Sequence, residues 1–330
     1  MRTAVLLSCS LLLAVTTAQA QMTSQSPFAP GYSDSVTNAE AHYSARRYQA
    51  AGEKYARAFA ASGNRGLTSD RYNAACSWAM AGNADSALSQ LGRIANARYG
   101  DYNHLVIDPD LDALHNDARW AGVVAKVKDN KERGNEGKDK QLIAILDTVI
   151  QTDQADRMRL EYTMSKYGQQ SGEFKALIKR MNYYDSLNVV KVTAILDHYG
   201  WPGTDKIGRQ ESETIFFVIQ HANAVVQDKY LPTVRQAVKD KMLGPDLLAM
   251  LEDRLNLAHG RKQVYGSQLI GMGKDAKLSP LEDPENVDKR RAEVGLGPLA
   301  DYLLQWNIKW DAQAYKSEQT AKDKGKKTGK

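Results

Sequence analysis

The stretch NAACSWAMAGNADSALSQLGRI, residues 73–94, decides the fold class of the chain. Small residues recur through it at helical spacing, and larger apolar residues such as Trp78, Leu91 and Ile94 lie between them. Two antiparallel helices approach closely only where a facing side chain is alanine or glycine, while large side chains fill the flanks. The stretch therefore predicts closely packed helices. Cys76 lies in its small-residue run and is predicted to be a small buried hydrophobe rather than a nucleophile.

A similar unit precedes this stretch, with Tyr48, Ala51, Tyr55 and Ala58 at helical spacing. Ala51 and Ala87 are 36 residues apart, close to the ~34-residue period of tetratricopeptide repeats, which the two units resemble. Residues 101–120 resemble the closing unit that follows many bacterial repeat pairs. Because one repeat cannot bury its own apolar face, we expect this segment to cap a short helical solenoid.

The first twenty residues contain a positive charge, an apolar core and small residues at a cleavage site, in the order that is typical of a secretory signal peptide. Arg2 supplies the charge, Ala4–Val15 the apolar run, and Ala18-Gln19-Ala20 the cleavage site. The apolar run is shorter than the roughly 20 residues needed to span a bilayer, and no later segment is apolar enough to be an anchor. The sequence therefore predicts an exported protein, periplasmic or secreted, with no transmembrane segment.

The net charge of +5 is confined to the two ends of the chain. Six lysines against Glu318 and Asp323 give residues 316–330 a net charge of +4, and Arg2 supplies the remainder. The body is thus neutral, and it shows no basic face interleaved with aromatic residues. We predict no nucleic-acid partner and a disordered basic tail.

The predicted architecture is mostly α-helical, in two domains. Thr37 and Glu40 form a capping-box pattern that predicts the start of the first helix, and residues 263–281 predict either a small β-hairpin or an ordered loop. The predicted segments are a signal peptide (1–20), an extended leader (21–35), tetratricopeptide-like repeats with a closing cap (36–131), a charged linker (132–140), a helical domain (141–315) and the basic tail (316–330).

A set of short motifs follows in order through residues 141–302. They are Asp153-Gln154 with Arg157, Asp185…Asn188…Ile195-Leu196, Gly200-Trp201-Pro202, Gln220-His221-Ala222, Asp253-Arg254, Tyr265-Gly266-Ser267-Gln268, and Arg290-Arg291 before Gly295-Leu296-Gly297-Pro298-Leu299. Together they resemble an uncharacterised bacterial domain of unknown function, whose motifs read Gly-Trp-Pro, Gln-His-Ala-Asp and Tyr-Gly-Thr-Gln. The resemblance implies an exported or surface-associated protein and no established activity. Asn223 stands where the family is expected to have an acid, and Ser267 where it is expected to have threonine.

Residues 213–227 predict the most informative helix, because an apolar first half continues into amide side chains. Gln220, Asn223 and Gln227 are spaced to share one helical face. A buried amide without partners costs about 1–3 kcal/mol, so these groups must meet other polar atoms. The predicted partners are Asp153, Gln154, Arg157, Asp253, Arg254, Tyr265 and Gln268. Such a set forms either a structural polar network or a ligand pocket, and we favour the pocket.

In a pocket, His221 would be the acid–base group, because imidazole changes charge near neutral pH. Tyr265 would donate a hydrogen bond to a substrate oxygen, and Arg157 or Arg254 would bind an anionic group. We predict no metal and no cofactor. His198, His221 and His259 lack the spacing of a helical zinc motif, and no phosphate-binding glycine loop is present.

Three functional hypotheses remain open on the sequence. The first is an adaptor whose repeat domain binds a protein or peptide, with polar residues around Asn73 and Ser77 facing a groove. The second is a hydrolase in which His221 is central and Tyr265 and an arginine assist. The third is a structural protein of the cell envelope with no site. The substrate, partner and oligomeric state cannot be predicted.

Overall fold

The computed structural model describes residues 28–271, 275–304 and 306–319. The predicted signal peptide, residues 21–27 of the leader and residues 320–330 of the tail lie outside the described residues. The described chain is mostly helical and has one small antiparallel sheet, which confirms the predicted fold class. None of its described helices is both long and apolar enough to cross a bilayer.

The described residues divide into two compact units after Arg159. The first unit contains consecutive helices joined by short turns. They are α1 (Tyr32–Ser44), α2 (Tyr48–Ala61), α3 (Thr68–Met80), α4 (Ala84–Asn96), α5 (Tyr102–Ile107), a 3-10 turn (Pro109–Leu114), α6 (Trp120–Gly134) and α7 (Lys140–Met158). Helices α1 to α4 pack in order, each against the next. Their assignment to tetratricopeptide repeats stays a prediction.

Small residues bring these helices together as the spacing predicts. Ala51, Ala74 and Ala87 are fully buried. Gly52 on α2 lies against the indole of Trp78 on α3, and a Cβ atom at Gly52 would stand 2.6 Å from that ring. The contact therefore requires glycine at this position.

Helix α1 begins earlier than its capping-box pattern predicts. It starts at Tyr32, after Gly31 in the left-handed region, so Thr37 and Glu40 lie inside the helix and residues 32–35 are not an extended leader. Tertiary contacts explain the difference. The Tyr32 ring is buried, and its hydroxyl donates to Asp70 Oδ2 at 2.6 Å.

Helices extend into both ends of the predicted charged linker. Helix α6 continues to Gly134 and α7 begins at Lys140, so residues 135–139 alone connect them. Lys131 is buried and its Nζ pairs with Asp147 of α7, which fixes the end of α6. The division after Arg159 lies one helix beyond the end of this linker.

The second unit consists of helices around a small hairpin. Its elements are α8 (Leu160–Tyr167), α9 (Gly172–Tyr199), α10 (Thr204–Ile207), α11 (Arg209–His221), α12 (Ala224–Lys239), α13 (Pro245–Ala258), β1 (Leu269–Ile270), β2 (Lys277–Leu278), a 3-10 turn (Pro284–Asn286), α14 (Val287–Glu293) and α15 (Leu299–Leu304). Leu269 pairs with Leu278 and Ile270 with Lys277, so the hairpin alternative is confirmed. Residues 215–219 of α11 are buried, as their continuous apolar run predicts.

Candidate functional site

The single helix predicted over residues 213–227 is two helices. Helix α11 ends at His221, Ala222 is extended, and α12 begins at Ala224. The Oδ1 of Asn223 accepts a hydrogen bond from Val226 N at 3.1 Å, which makes Asn223 the N-cap of α12. The prediction that Gln220, Asn223 and Gln227 share one helical face is therefore wrong. An asparagine cap outweighed the helical spacing, because its side chain satisfies a free backbone N–H group.

The capping role suits either asparagine or aspartate at position 223. We expect Asn223→Ala to lower the free energy of unfolding by about 1 kcal/mol, since the cap is lost. We expect Asn223→Asp to keep the native stability, because aspartate caps equally well and its charge suits a helix N-terminus. Urea unfolding of the three proteins measures both effects. Equal stability of the alanine variant would exclude the capping role.

Gln227 joins the two helices. Its Nε2 donates to the carbonyl oxygens of Gln220 and Ala222, each at 2.9 Å. These carbonyls belong to the end of α11, where helical partners are missing. The buried amide predicted to line a pocket thus satisfies the backbone at the corner between α11 and α12.

Asp253 on α13 organises the loop that precedes β1. Its fully buried carboxylate accepts hydrogen bonds from the backbone N–H groups of Val264 (2.6 Å), Tyr265 (3.0 Å) and Ser267 (3.0 Å). The Ser267 hydroxyl donates to the same carboxylate at 2.9 Å. Burial raises the pKa of Asp253, and the donors from the loop oppose that rise. The loop's shape therefore depends on one carboxylate.

Two further glutamines close the same loop. The Oε1 of Gln263 accepts from Gln268 N at 2.8 Å, and its Nε2 donates to the carbonyls of Gln268 and Ser279. The Nε2 of Gln268 donates to Ser267 Oγ at 3.0 Å and to Met250 O at 3.4 Å. The sequence analysis missed Gln263, because nothing in its local pattern distinguishes a buried glutamine from a surface one.

Two arginines of α14 donate hydrogen bonds to the backbone of this loop. Arg290 Nε donates to Val264 O at 2.9 Å, and Arg291 Nη1 donates to Tyr265 O at 2.8 Å. Burial lowers the pKa of Arg291. These residues belong to the motifs that carry the family resemblance, but they were not among the predicted site residues. Their contacts to backbone carbonyls indicate a structural role.

Gln220 differs from the other glutamines. Its Nε2 lies 3.5 Å from Met250 O, at the outer limit of a hydrogen bond, and its buried Oε1 has no hydrogen-bond partner among the described residues. The side-chain amides of Gln220 and Gln268 thus both point to the carbonyl oxygen of Met250. The Oε1 of Gln220 remains a buried acceptor without a partner among the described residues.

The Oε1 of Gln220 provides a test between the two interpretations of these residues, a structural polar network and a ligand pocket. If no ligand binds, the free energy of unfolding of Gln220→Met should equal that of the native protein or exceed it by up to about 1 kcal/mol, because the substitution removes an unsatisfied acceptor. Urea unfolding measures the difference. The comparison is made on purified protein. A variant clearly less stable than the native protein would instead indicate a bound ligand, provided that the difference disappears once both proteins have been denatured, dialysed and refolded.

The other predicted site residues differ in their burial and in the unit to which they belong. His221 and Arg254 are half-buried, and Asn223 is exposed. Tyr265 contributes its backbone, and partial burial raises the pKa of its phenol. Asp153 and Arg157 lie on α7 in the first unit and pair with each other, with 3.4 Å between Oδ1 and Nη1.

A different surface of the second unit is exposed and apolar. On α9, Tyr183, Leu187 and Val190 are 60, 41 and 67% exposed, and Ala194 continues the row. The spacing of four, three and four residues places all four side chains along one face of the helix. We call these four residues the α9 row. The sequence analysis did not identify this row, because the same spacing usually marks a face buried in the core.

Comparison with known proteins identifies one family. The model of a family of unknown function (DUF6624) matches residues 140–316, which is more than half of the chain. This match confirms the resemblance carried by the motifs between Asp153 and Leu299. No curated protein and no solved structure matches the chain.

Proposed function

The chain belongs to DUF6624, a family of unknown function. We propose that it is an exported protein that binds a partner protein. The observation that carries this proposal is the exposed α9 row. Isolated apolar side chains are common on protein surfaces, but large ones aligned along one helix indicate an interaction surface. Export rests on the signal peptide pattern of residues 1–20.

The spacing and charge of the row favour a particular kind of partner. Anchors at i, i+4 and i+7 match the side-chain pattern with which one amphipathic helix packs against another. The exposed cationic residues Lys179, Arg180 and Lys191 flank the row on α9. We therefore propose a partner that presents an apolar helical face with acidic residues at its edges.

The first unit gives this proposed adaptor a second binding surface. The predicted polar row at Asn73 and Ser77 does not supply it, because Ser77 is fully buried and its hydroxyl donates to Asn73 O at 2.8 Å. An open groove of about 490 Å³ lies instead at the start of α2, and its lining includes Arg46, Arg47, Tyr48 and Glu53. Two arginines against one glutamate make this lining positive, which favours a peptide that carries carboxylates.

The hydrolase hypothesis has less support in the geometry. Gln227, Gln268 and Asp253 direct their polar groups to the backbone of the fold. A catalytic site needs such groups directed towards a substrate. The partner-binding function is therefore the better supported of the two.

Site-specific photo-crosslinking tests the proposal in the cells that produce the protein. A photoreactive residue at Val190 should crosslink to another protein, and mass spectrometry should map the linked segment to an apolar helix with acidic flanks. Leu187→Glu should reduce the crosslinked product at least tenfold, because a buried unpaired charge would oppose docking. The substitution is at an exposed position, so stability should change by no more than about 0.5 kcal/mol.

Asn182→Glu is the matched control, because it adds the same charge to an exposed position of α9 outside the row. Crosslinking should fall by less than about twofold in this variant, because its charge stays outside the apolar contact. Crosslinks that map to a second copy of this chain or to its own tail would overturn the proposed partner. A yield that Leu187→Glu leaves unchanged would overturn the docking surface itself.

A further inference from the structure

A cluster of metal-ligating side chains lies in the first unit. Cys76 comes from α3, and Asp108 and Asp110 flank the first residue of the 3-10 turn. One ligand atom from each residue lies within 4.8 Å of the other two. The Sγ of Cys76 is 3.6 Å from Asp108 Oδ2. Two ligand atoms on one tetrahedral zinc ion, with bonds of about 2.0–2.3 Å, stand roughly 3.3–3.8 Å apart. The separation of Cys76 Sγ and Asp108 Oδ2 matches this range.

Neighbouring side chains hold both carboxylates in place. His104 Nε2 lies 3.3 Å from Asp108 Oδ2, and the Tyr72 hydroxyl donates to the same oxygen at 2.9 Å. The Tyr43 hydroxyl donates to Asp110 Oδ2. Ligating carboxylates in metal sites are typically oriented by such outer hydrogen bonds. The cluster is therefore held in position from α1, α3 and α5.

The cluster carries more negative than positive charge. Asp108 is buried and Asp110 is half-buried, and among the described residues no lysine or arginine pairs with either carboxylate. His104 pairs with Asp108, and Arg159 acts on the same carboxylate from a greater distance, so Asp110 is the carboxylate without a cationic partner among the described residues. Two carboxylates in a site of low polarity are costly unless a cation compensates them. The charge imbalance points to a bound cation.

We propose that Cys76, Asp108 and Asp110 bind one divalent transition-metal ion, zinc or an ion of similar chemistry. A thiolate with carboxylates selects such ions over magnesium and calcium, which prefer oxygen ligands alone. Binding replaces the proton of the Cys76 thiol, which is released to solvent, by a sulfur–metal bond. His104 orients Asp108 from outside the coordination shell.

The ion would connect the repeats to their closing segment. Cys76 belongs to the α3–α4 pair, whereas both aspartates belong to the segment that follows it. A metal bond between the two would stabilise the end of the helical array. The sequence analysis predicted no metal because it considered histidine spacings, and these ligands are 32 residues apart along the chain.

Cobalt substitution tests the proposal on the full chain, purified without a histidine tag and carrying Cys9→Ser so that Cys76 is the remaining thiol. After chelator treatment, Co²⁺ should bind at one ion per chain and produce the ultraviolet charge-transfer band of a thiolate ligand. Zn²⁺ should displace it, and excess Mg²⁺ should not. Cys76→Ser should remove the band, and Asp110→Asn should weaken binding at least tenfold.

Asp112→Asn is the matched control, because Asp112 is an exposed carboxylate two residues away that pairs with Arg159. It should bind Co²⁺ as tightly as the native chain. X-ray absorption of the zinc-loaded native chain should show sulfur in the first shell, and this measurement needs no variant to fold. No thiolate band and no sulfur ligand in the native chain would overturn the proposal, as would equal affinity in Asp110→Asn.

Discussion

Replacing Asp253 by alanine should lower the free energy of unfolding by about 4 kcal/mol, the largest single effect we expect in the second unit. The substitution leaves the N–H group of Ser267, which is buried, and those of Val264 and Tyr265, which are partly buried, without their acceptor. Each unsatisfied buried donor costs about 1–3 kcal/mol. Urea unfolding measures the loss, and hydrogen exchange should show faster exchange of these three amides.

Two comparisons make this expectation specific. Asp253→Asn keeps a neutral acceptor and should lose roughly half as much stability, since hydrogen bonds to a charged group are about twice as strong. Glu252→Ala removes the neighbouring carboxylate, which pairs with Arg235 at the surface, and should cost less than about 1 kcal/mol. A loss for Asp253→Ala no larger than for Glu252→Ala would refute the role of Asp253 in organising the loop.

Replacing Gly52 by valine should destabilise the first unit by about 3 kcal/mol. The new Cβ would stand 2.6 Å from the indole of Trp78, and the branched methyl groups would increase the overlap. Overpacking of this kind typically costs 1–3 kcal/mol, because helices or side chains must shift. Thermal unfolding followed by the near-ultraviolet signal of the tryptophans measures the effect.

Gly92→Val is the matched control, since Gly92 also lies within a helix and a Cβ there would meet no atom within 4 Å. Glycine and valine differ little in intrinsic helix propensity, so this variant should stay within about 0.5 kcal/mol of the native protein. Similar losses in both variants would show that backbone preference, rather than contact with Trp78, determines the effect.

The sequence predicted well those features that depend on local spacing. Alanines at helical intervals predicted closely packed helices, and Ala51, Ala74 and Ala87 are fully buried. The apolar run of residues 215–219 predicted a buried helix, and these residues are buried. Short motifs identified the family across residues 140–316. These patterns are readable because helix geometry repeats every 3.6 residues.

Features that depend on long-range contacts were missed. The break at Asn223 separates two helices because a side chain caps the second one, and helical spacing continues across the break without a signal. Gln263 and Arg291 gain their roles from backbone groups brought near by folding. The cluster of Cys76 with Asp108 likewise forms only when the closing segment folds against α3. Tertiary packing determines all of these, and local pattern does not encode it.

Helix α7 has a consequence for how this chain can be divided. The shared family region starts at residue 140, where α7 begins, yet α7 is counted with the compact body that precedes Leu160. Leu146 and Val149 on this helix are fully buried, and Asn103 of α5 donates to Asp147 at 2.8 Å. A cut made where the shared region starts would separate α7 from α5. The boundary of the family region and the boundary between the compact units thus differ by one helix.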